Sequence, residues 1–267
     1  MPYTGTPPAS LLRPARKPRV GTELLCEFVF RPVAQLLVLA LAPLRIPPPA
    51  VVVAATGTGL TAALALARGE LVLAALLLQA KTVLDNADGQ LARATGRISV
   101  LGRYLDSESD LLVNAALCAA LGWTTGRWVL AAGAFLALTV VLGVNFNLER
   151  LYRLERGEAS DPMPVARGGV HLLERVYGLL YAWQDRLVER FCEWRLRGRD
   201  GAARLVYHDR LGVETLANLG LSTQLAVFGL CLAAGRPQAF AWFAVACAGL
   251  LVPLALWRGL RLRRAHT

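Results

Sequence analysis

Residues 85–110 read DNADGQLARATGRISVLGRYLDSESD, and they decide how the rest of the chain is interpreted. Four aspartates lie in this stretch as two pairs, Asp85 with Asp88 and Asp106 with Asp110. Residues three or four apart share one face of a helix, so the members of each pair point the same way. Carboxylates that converge from two apolar helices repel one another and resist desolvation unless cations neutralise them. We therefore predict a site for hard divalent cations, such as Mg²⁺ or Mn²⁺, at the edge of a membrane.

The chain is too apolar for an ordinary soluble domain, since 55% of its 267 residues are hydrophobic and the mean hydropathy is +0.44. A helix needs about 20 apolar residues to cross a hydrocarbon core of about 30 Å. Six stretches approach that length, although charges in the second and third hide both from a simple hydropathy scan. These stretches are residues 50–67, 71–92, 103–123, 128–144, 216–234 and 239–257. We therefore predict an all-α integral membrane protein with six transmembrane helices.

A shorter apolar stretch precedes the first predicted span. Residues 33–42 extend only about 15 Å as a helix, which is too short to cross the membrane. Prolines and arginines bound this stretch on both sides, so we predict an amphipathic juxtamembrane helix that lies in the interface. The predicted organisation is a basic disordered tail at 1–20, a juxtamembrane interfacial segment at 21–49, a six-helix domain at 50–257 that includes a long cytoplasmic loop at 145–212, and a basic cytoplasmic tail at 258–267.

The formal charge of +10 is distributed unevenly between the two sides of the predicted membrane domain. The side that contains both termini holds 25 of the 29 Lys and Arg residues, and the other side holds three. Leaving out the long loop still gives 13 against three, and basic residues favour the cytoplasmic side. We therefore expect both termini and the aspartate site in the cytoplasm, at the inner or plasma membrane if the protein is bacterial. Basic residues beside a bilayer serve topology and attraction to anionic lipids, so we expect no nucleic-acid partner.

Cysteine and histidine give no sign of another metal site or of a disulfide framework. The five cysteines have no CxxC spacing and lie mostly in apolar surroundings, which predicts buried free thiols. The three histidines are scattered along the sequence and form no ligand pattern for zinc.

Other residues beside the aspartates suit a diphosphate ligand. Gly89 removes a side chain next to Asp88, so a ligand can approach the backbone closely. Arg93 follows one turn later and can make charge-assisted hydrogen bonds to phosphate. Cations and an arginine together can neutralise charge on a leaving group during in-line displacement. Asp110 lies one turn beyond Asp106 and can take a proton from an attacking hydroxyl.

With its spacing the stretch is Asp-x2-Asp-Gly-x2-Ala-Arg-x8-Gly-x3-Asp-x3-Asp, and it resembles the signature of the CDP-alcohol phosphotransferases, also called CDP-alcohol phosphatidyltransferases. The resemblance implies that a pair of Mg²⁺ or Mn²⁺ ions is bound by Asp85, Asp88, Asp106 and Asp110. It also implies that Asp110 is the general base of the reaction. The CDP pocket implied by the resemblance contains Gly89, Ala92 and Arg93.

The resemblance implies a membrane-embedded transferase of phospholipid biosynthesis. Such an enzyme moves a phospho-alcohol group of the phosphatidyl type from a CDP-linked donor to an acceptor hydroxyl, and CMP leaves. CDP-diacylglycerol is a donor that would enter from the bilayer, whereas a polar alcohol or phosphate-bearing acceptor would arrive from the cytoplasm. The acceptor stays open among glycerol 3-phosphate, inositol phosphate, serine and another lipid alcohol. The resemblance also implies a homodimer, for which close helix contact is permitted by the small residues Gly57, Gly59, Ala62 and Ala63.

Two other functional classes stay open on the sequence. Aspartates within a membrane also mark ion pathways, so a divalent-cation transporter is one alternative. Against it, both aspartate pairs lie at the cytoplasmic ends of their predicted spans, and the sequence places no acidic residue deeper to continue a route. A catalytically inactive membrane scaffold that retains the motif is the other alternative.

Several polar residues have more than one interpretation. Lys81 lies four residues before Asp85, so it can pair with that carboxylate, reach a donor phosphate or extend its stem toward water. The polar side chains of the fifth predicted span either line a substrate cavity or form hydrogen bonds between helices. They are Asn218, Ser222, Thr223 and Gln224.

The long loop at 145–212 contains one further helical pattern. Its apolar residues recur on one face and consist of Leu172, Val176, Leu179, Leu180, Trp183, Leu187 and Phe191. The pattern predicts either a lid or acceptor-recognition element over the active site, or an amphipathic helix that rests on the membrane or on cytoplasmic helix ends.

Overall fold

A computed structural model describes residues 20–158, 178 and 182–264. This part of the chain is helical and contains no strand, which confirms the predicted all-α class. A π-helical turn, Cys26–Phe30, leads into the first α-helix. The helices are α1 (Arg31–Leu41), α2 (Pro48–Ala67), α3 (Leu71–Ala94), α4 (Val100–Thr125), α5 (Trp128–Glu155), α6 (Ala182–Leu196), α7 (Gly201–Tyr207), α8 (Arg210–Ala217), α9 (Leu221–Ala233), α10 (Pro237–Gly249) and α11 (Leu251–Arg264). The predicted disordered tail lies outside the described residues, apart from Val20.

Local sequence signals explain where the helices around the aspartates begin and end. Pro47 is extended, and Pro48 takes the first position of α2, where no N–H is required. Gly96 has a φ of +65°, which lets the chain turn after α3. Ser99 then caps α4, because its hydroxyl accepts a hydrogen bond from the Gly102 N–H at 3.0 Å. The two aspartate-bearing helices are therefore joined by a short turn with a defined beginning and end.

In the described part of the chain, four helical stretches are long and apolar enough to cross a membrane, which supports an integral membrane protein. They are Pro48–Ala67, Trp128–Glu155, Gly201–Ala233 and Pro237–Arg264. Helices α3 and α4 have 24 and 26 residues and are long enough to cross as well. Their charged and polar residues keep them out of this apolar group, as we expected for the second and third predicted spans.

The fifth predicted span and the long loop before it are divided into several helices. Within residues 216–234, α8 ends at Ala217 and α9 begins after Gly220, which is extended. The loop predicted at 145–212 is largely helical where the structure describes it, since α5 continues to Glu155 and α6, α7 and α8 follow. The first four residues of its predicted apolar face, from Leu172 to Leu180, lie outside the described residues.

The sixth predicted span, residues 239–257, is divided between α10 and α11 at Leu250. Pro253 has no N–H to bond the carbonyl of Gly249, so the regular hydrogen-bond pattern is interrupted at this point. A single apolar stretch in the sequence therefore gives two consecutive helices.

The main apolar core lies between α2, α3, α4, α5, α9 and α10. Its buried aromatic rings, Phe228 and Phe240, stack with their centroids 4.0 Å apart. Small side chains of α2, among them Ala62 and Ala63, are buried in this core. Gly59 is buried as well, whereas Gly57 is exposed. Three of the four small residues considered for a dimer contact therefore pack within the chain, and the homodimer stays a prediction.

Two smaller clusters flank this core. The second cluster joins the end of α5 to α6, α7, α8 and α11 through Leu148, Leu151, Cys192, Leu196, Ala203, Tyr207, Leu216 and Leu262. The third packs α1 against α2 and α3 through Ala34, Val38, Val51, Ala87 and Leu91. Helix α1 therefore lies against the helix that carries Asp85 and Asp88. The cysteines are free thiols and all but Cys231 are buried, which agrees with the sequence.

The segment before the π-helical turn clamps the junction of α8 and α9. The buried Glu23 carboxylate caps α9, because it accepts hydrogen bonds from the Thr223 N–H at 2.8 Å and the Thr223 hydroxyl at 3.1 Å. Asn218 donates to the Thr22 carbonyl and accepts from the Leu24 N–H, both at 3.0 Å. Asn218 and Thr223 therefore hold segments together, which decides between their two interpretations.

We predict that Glu23→Ala lowers the stability of the folded chain by about 2 kcal/mol, because α9 loses its cap and two donors lose their acceptor. The midpoint of thermal unfolding in detergent should fall relative to that of the wild type. The matched control is Glu70→Ala, since Glu70 is an exposed carboxylate before α3. Equal midpoints for the two variants would contradict the capping role of Glu23.

Candidate functional site

Helices α3 and α4 bring three of the predicted aspartates together. Asp85, Asp88 and Asp106 each place one carboxylate oxygen within 4.8 Å of the other two. Asp88 is buried, and the other two are half-buried. The three residues come from both sides of the turn at Gly96, so the helix hairpin itself forms the cluster.

The oxygens of this cluster fit a divalent cation. An ion with ligand distances between about 2.0 and 2.6 Å holds its oxygens within about 5 Å of one another. The Oδ2 atom of Asp88 is buried and has no hydrogen-bond partner among the described residues. A buried carboxylate oxygen without a donor destabilises the fold unless a cation approaches it. Carboxylates are also the ligands that Mg²⁺ and Mn²⁺ prefer.

Lys81 lies beside this cluster and is only 2% exposed. Its ammonium donates a hydrogen bond to Asp85 Oδ1 at 2.9 Å and a second hydrogen bond to Asp110 Oδ1. Of the interpretations open on the sequence, the structure therefore shows pairing with carboxylates and excludes a side chain that extends to water. Asp110 lies next to this ammonium and is not one of the three aspartates whose oxygens cluster.

Helix α2 holds the Lys81 side chain in place. A Cβ atom at Gly59 would lie 2.6 Å from Val113 Cγ1 and 3.2 Å from Lys81 Cγ, so only glycine permits this approach of α2 to α3 and α4. The sequence offered Gly59 for a contact between subunits, and its role against the site was missed. A glycine in an apolar helix does not reveal which neighbour it faces.

The residues predicted for the nucleotide lie one turn apart on α3. A Cβ atom at Gly89 would lie 3.2 Å from the Arg93 Nη1 atom, so the space beside Gly89 is occupied by the guanidinium. Ala92 is half-buried on the same helix. Gly89 therefore makes room for the Arg93 guanidinium within the aspartate motif.

Hydrogen bonds with the N-terminal segment hold α3 in place. The thiol of Cys26 donates to Asn86 Oδ1 at 3.0 Å, and Gln90 Nε2 donates to the carbonyl of Arg31 at 3.3 Å. Both α3 residues lie within the aspartate motif, between or just after its first pair. These contacts cross about 60 residues of sequence, and no pattern in the sequence predicts them.

The sequence of this region matches a known family. Residues 45–173 match the sequence model of the CDP-alcohol phosphatidyltransferases. This part of the chain is therefore similar in sequence to that family. The matched region contains α2 to α5 and every residue of the aspartate motif.

A curated protein of similar sequence is the bifunctional IPC transferase and DIPP synthase of Thermococcus kodakarensis. It is 36% identical over 101 residues, which are 36% of this chain and 22% of that protein. The matched region therefore spans about a fifth of the length of the relative. No solved structure matches the chain.

We predict that Asp88→Asn lowers the affinity of the purified chain for Mn²⁺ by about tenfold or more, because a ligand charge is lost while the shape of the side chain is kept. Electron paramagnetic resonance of free Mn²⁺ measures the change. The control is Glu70→Gln, which removes an exposed carboxylate on the same chain. An Asp88→Asn chain that elutes as wild type and binds Mn²⁺ equally well would exclude Asp88 as a ligand.

Proposed function

We propose that the chain is a metal-dependent transferase embedded in the membrane. It moves a phospho-alcohol group from a CDP-linked donor, such as CDP-diacylglycerol, to an acceptor hydroxyl and releases CMP. The observation that carries this proposal is the cluster of three carboxylate oxygens on α3 and α4 within a CDP-alcohol phosphatidyltransferase sequence. The matched relative is named as an IPC transferase and DIPP synthase, so phospho-alcohol transfer agrees with its name.

Asp85, Asp88 and Asp106 would hold Mg²⁺ or Mn²⁺ in this proposal. A bound cation supplies positive charge that neutralises the donor diphosphate and the departing CMP. The Arg93 guanidinium would add a positive charge to neutralise the same phosphates, because it lies against Gly89, which follows Asp88 in the sequence. A second ion with Asp110 as a ligand stays a prediction from the family motif.

Asp110 would act as the general base. The acceptor hydroxyl gives its proton to the Asp110 carboxylate, and its oxygen forms a bond to the β-phosphorus of the donor. The bond between that phosphorus and the bridging oxygen breaks, and CMP leaves with the electron pair. Lys81 would position Asp110, since its buried ammonium fixes one carboxylate oxygen of this residue.

The membrane arrangement follows from the same proposal. Helices α3 and α4 would cross the bilayer beside the four apolar stretches, giving six spans from residue 50 to 257, with α1 at the interface. The excess of basic residues would place the termini, the long loop and the site in the cytoplasm. A lipid donor then reaches the site from the bilayer and a polar acceptor from the water. The active form would be a homodimer.

We predict that the purified wild-type chain releases CMP from CDP-diacylglycerol with Mg²⁺ or Mn²⁺ and one member of a panel of acceptor alcohols. Asp110→Asn should lower the rate of release by a factor of about 100 or more, because general-base catalysis is lost. Glu70→Gln is the control and should keep the wild-type rate. Full activity of Asp110→Asn would reject the assigned base. Cation flux without CMP release by the wild type would favour a transporter, and neither activity would favour a scaffold.

We predict opposite effects of Lys81→Met on catalysis and on cation binding. The turnover number should fall at least about tenfold with little change in the KM of the donor, because Asp110 loses its orientation. The affinity for Mn²⁺ should rise, since a positive charge beside Asp85 is removed. Lys81→Arg, which keeps the charge, should not raise that affinity. Lower Mn²⁺ affinity in a folded Lys81→Met chain would contradict this account.

A further inference from the structure

Helix α6 has one face that packs against the rest of the chain. Gln184, Cys192 and Leu196 on this face are buried, and Val188 packs against the second cluster. These four residues recur every fourth position, so they form one stripe along the helix. Burial raises the pKa of the Cys192 thiol, which agrees with an inert side chain in this contact.

A second face of α6 is apolar and exposed. Trp183, Leu187, Phe191 and Trp194 are 54%, 61%, 43% and 63% exposed, and we call them the aromatic face. At about 100° per residue these side chains fall within about 80° of one another around the helix axis. An exposed stripe of three aromatic residues and a leucine is typical of a surface that another apolar medium covers.

Arginines border this aromatic face. Arg186 and Arg190 are exposed and lie within about 60° of Trp183 around the axis. The exposed Arg197 follows the last residue of α6, and we call these three residues the arginine edge. The guanidinium of Arg195 lies 5.8 Å from the centre of the Trp194 ring. The surface beside the aromatic face is therefore cationic.

The acidic residues at the first turns of α6 face α5 instead. Asp185 accepts a hydrogen bond from Asn147 Nδ2 at 2.7 Å, and Glu189 forms an ion pair with Arg150. The ion pair neutralises Glu189, the amide holds Asp185 against α5, and Glu193 is the exposed acidic residue of α6. The free side of the helix is therefore more basic than its composition indicates.

The position of α6 matches the edge of a membrane. Its packed face meets Leu148 and Leu151 near the end of α5 and Leu262 near the end of α11. Both helices belong to stretches that are long and apolar enough to cross a bilayer. Helix α6 therefore lies beside the ends of two candidate spans, where headgroups begin.

We propose that α6 is an interfacial helix that binds the surface of a bilayer containing anionic lipids. The aromatic face enters the boundary between headgroups and acyl chains, where tryptophan is favoured. The arginine edge contacts headgroup phosphates while its stems lie along the apolar surface. An anionic lipid surface supplies both the apolar medium and the negative charge that this pair of surfaces requires. A second copy of the chain would supply the apolar medium but would bring a second arginine edge to the contact.

The test places an environment-sensitive fluorophore on Leu187→Cys in the full chain, reconstituted into vesicles of phosphatidylcholine and phosphatidylglycerol. The matched control is the same label on Glu193→Cys, which lies on α6 outside the aromatic face. The wild-type chain taken through the labelling measures background from the native thiols, of which Cys231 alone is not buried. Spin-labelled lipids with the quencher near the headgroup report contact with the bilayer.

The label at Leu187→Cys should be quenched at least about twofold more strongly than the label at Glu193→Cys. Changing the arginine edge to glutamine (Arg186→Gln, Arg190→Gln and Arg197→Gln together) should weaken this quenching by about half, toward its value in pure phosphatidylcholine. A label at Leu187→Cys with the emission and quenching of the control would overturn the proposal. The proposal would also be overturned if the emission were strong but not quenched by spin-labelled lipids, and if Leu187→Cys crosslinked two copies. The aromatic face would then contact a second chain and not the bilayer. Equal quenching with and without phosphatidylglycerol would overturn the proposed contact between the arginine edge and anionic lipids.

Discussion

The burial of like charges on one helix hairpin is the constraint on which the rest of the structure depends. Asp85, Asp88, Asp106 and Asp110 lie close together on α3 and α4, and the buried Lys81 ammonium contacts two of them. The Lys81 ammonium alone does not balance four carboxylates, and among the described residues one buried oxygen of Asp88 has no donor. Desolvation and repulsion of these carboxylates destabilise the fold in apolar surroundings unless a bound cation neutralises them.

The surrounding elements hold this hairpin in a fixed geometry. The Ser99 cap and the turn at Gly96 set the direction of α4, and Gly59 lets α2 approach the stem of Lys81. Helix α1 packs against α3 from the other side. The main apolar core, which includes parts of α3 and α4, is built mostly from alanines and leucines. It therefore packs the helices closely without adding a charged residue. The hydrogen bonds of Glu23 and Asn218, by contrast, lie at the junction of α8 and α9.

The sequence predicted the local features of this site and not its long-range contacts. Helical spacing was enough to place Asp85 with Asp88 on one face and Lys81 within reach of Asp85, because those relations depend only on positions three or four apart. The bond from Lys81 to Asp110 joins two helices, and the cap of α9 by Glu23 joins residues 200 positions apart. Tertiary packing decides such contacts. Hydropathy likewise located the apolar stretches, but breaks near Gly220 and at Leu250 divide the fifth and sixth of them.

The most direct test of the central claim is the binding of CDP to the purified wild-type chain with and without Mn²⁺, measured by calorimetry. If the aspartates form a site for a cation and a nucleotide diphosphate, CDP should bind in the presence of Mn²⁺. It should bind at least about tenfold more weakly in a chelator, because the carboxylates then repel the diphosphate. Equal affinity under the two conditions would contradict the account, as would no binding in either.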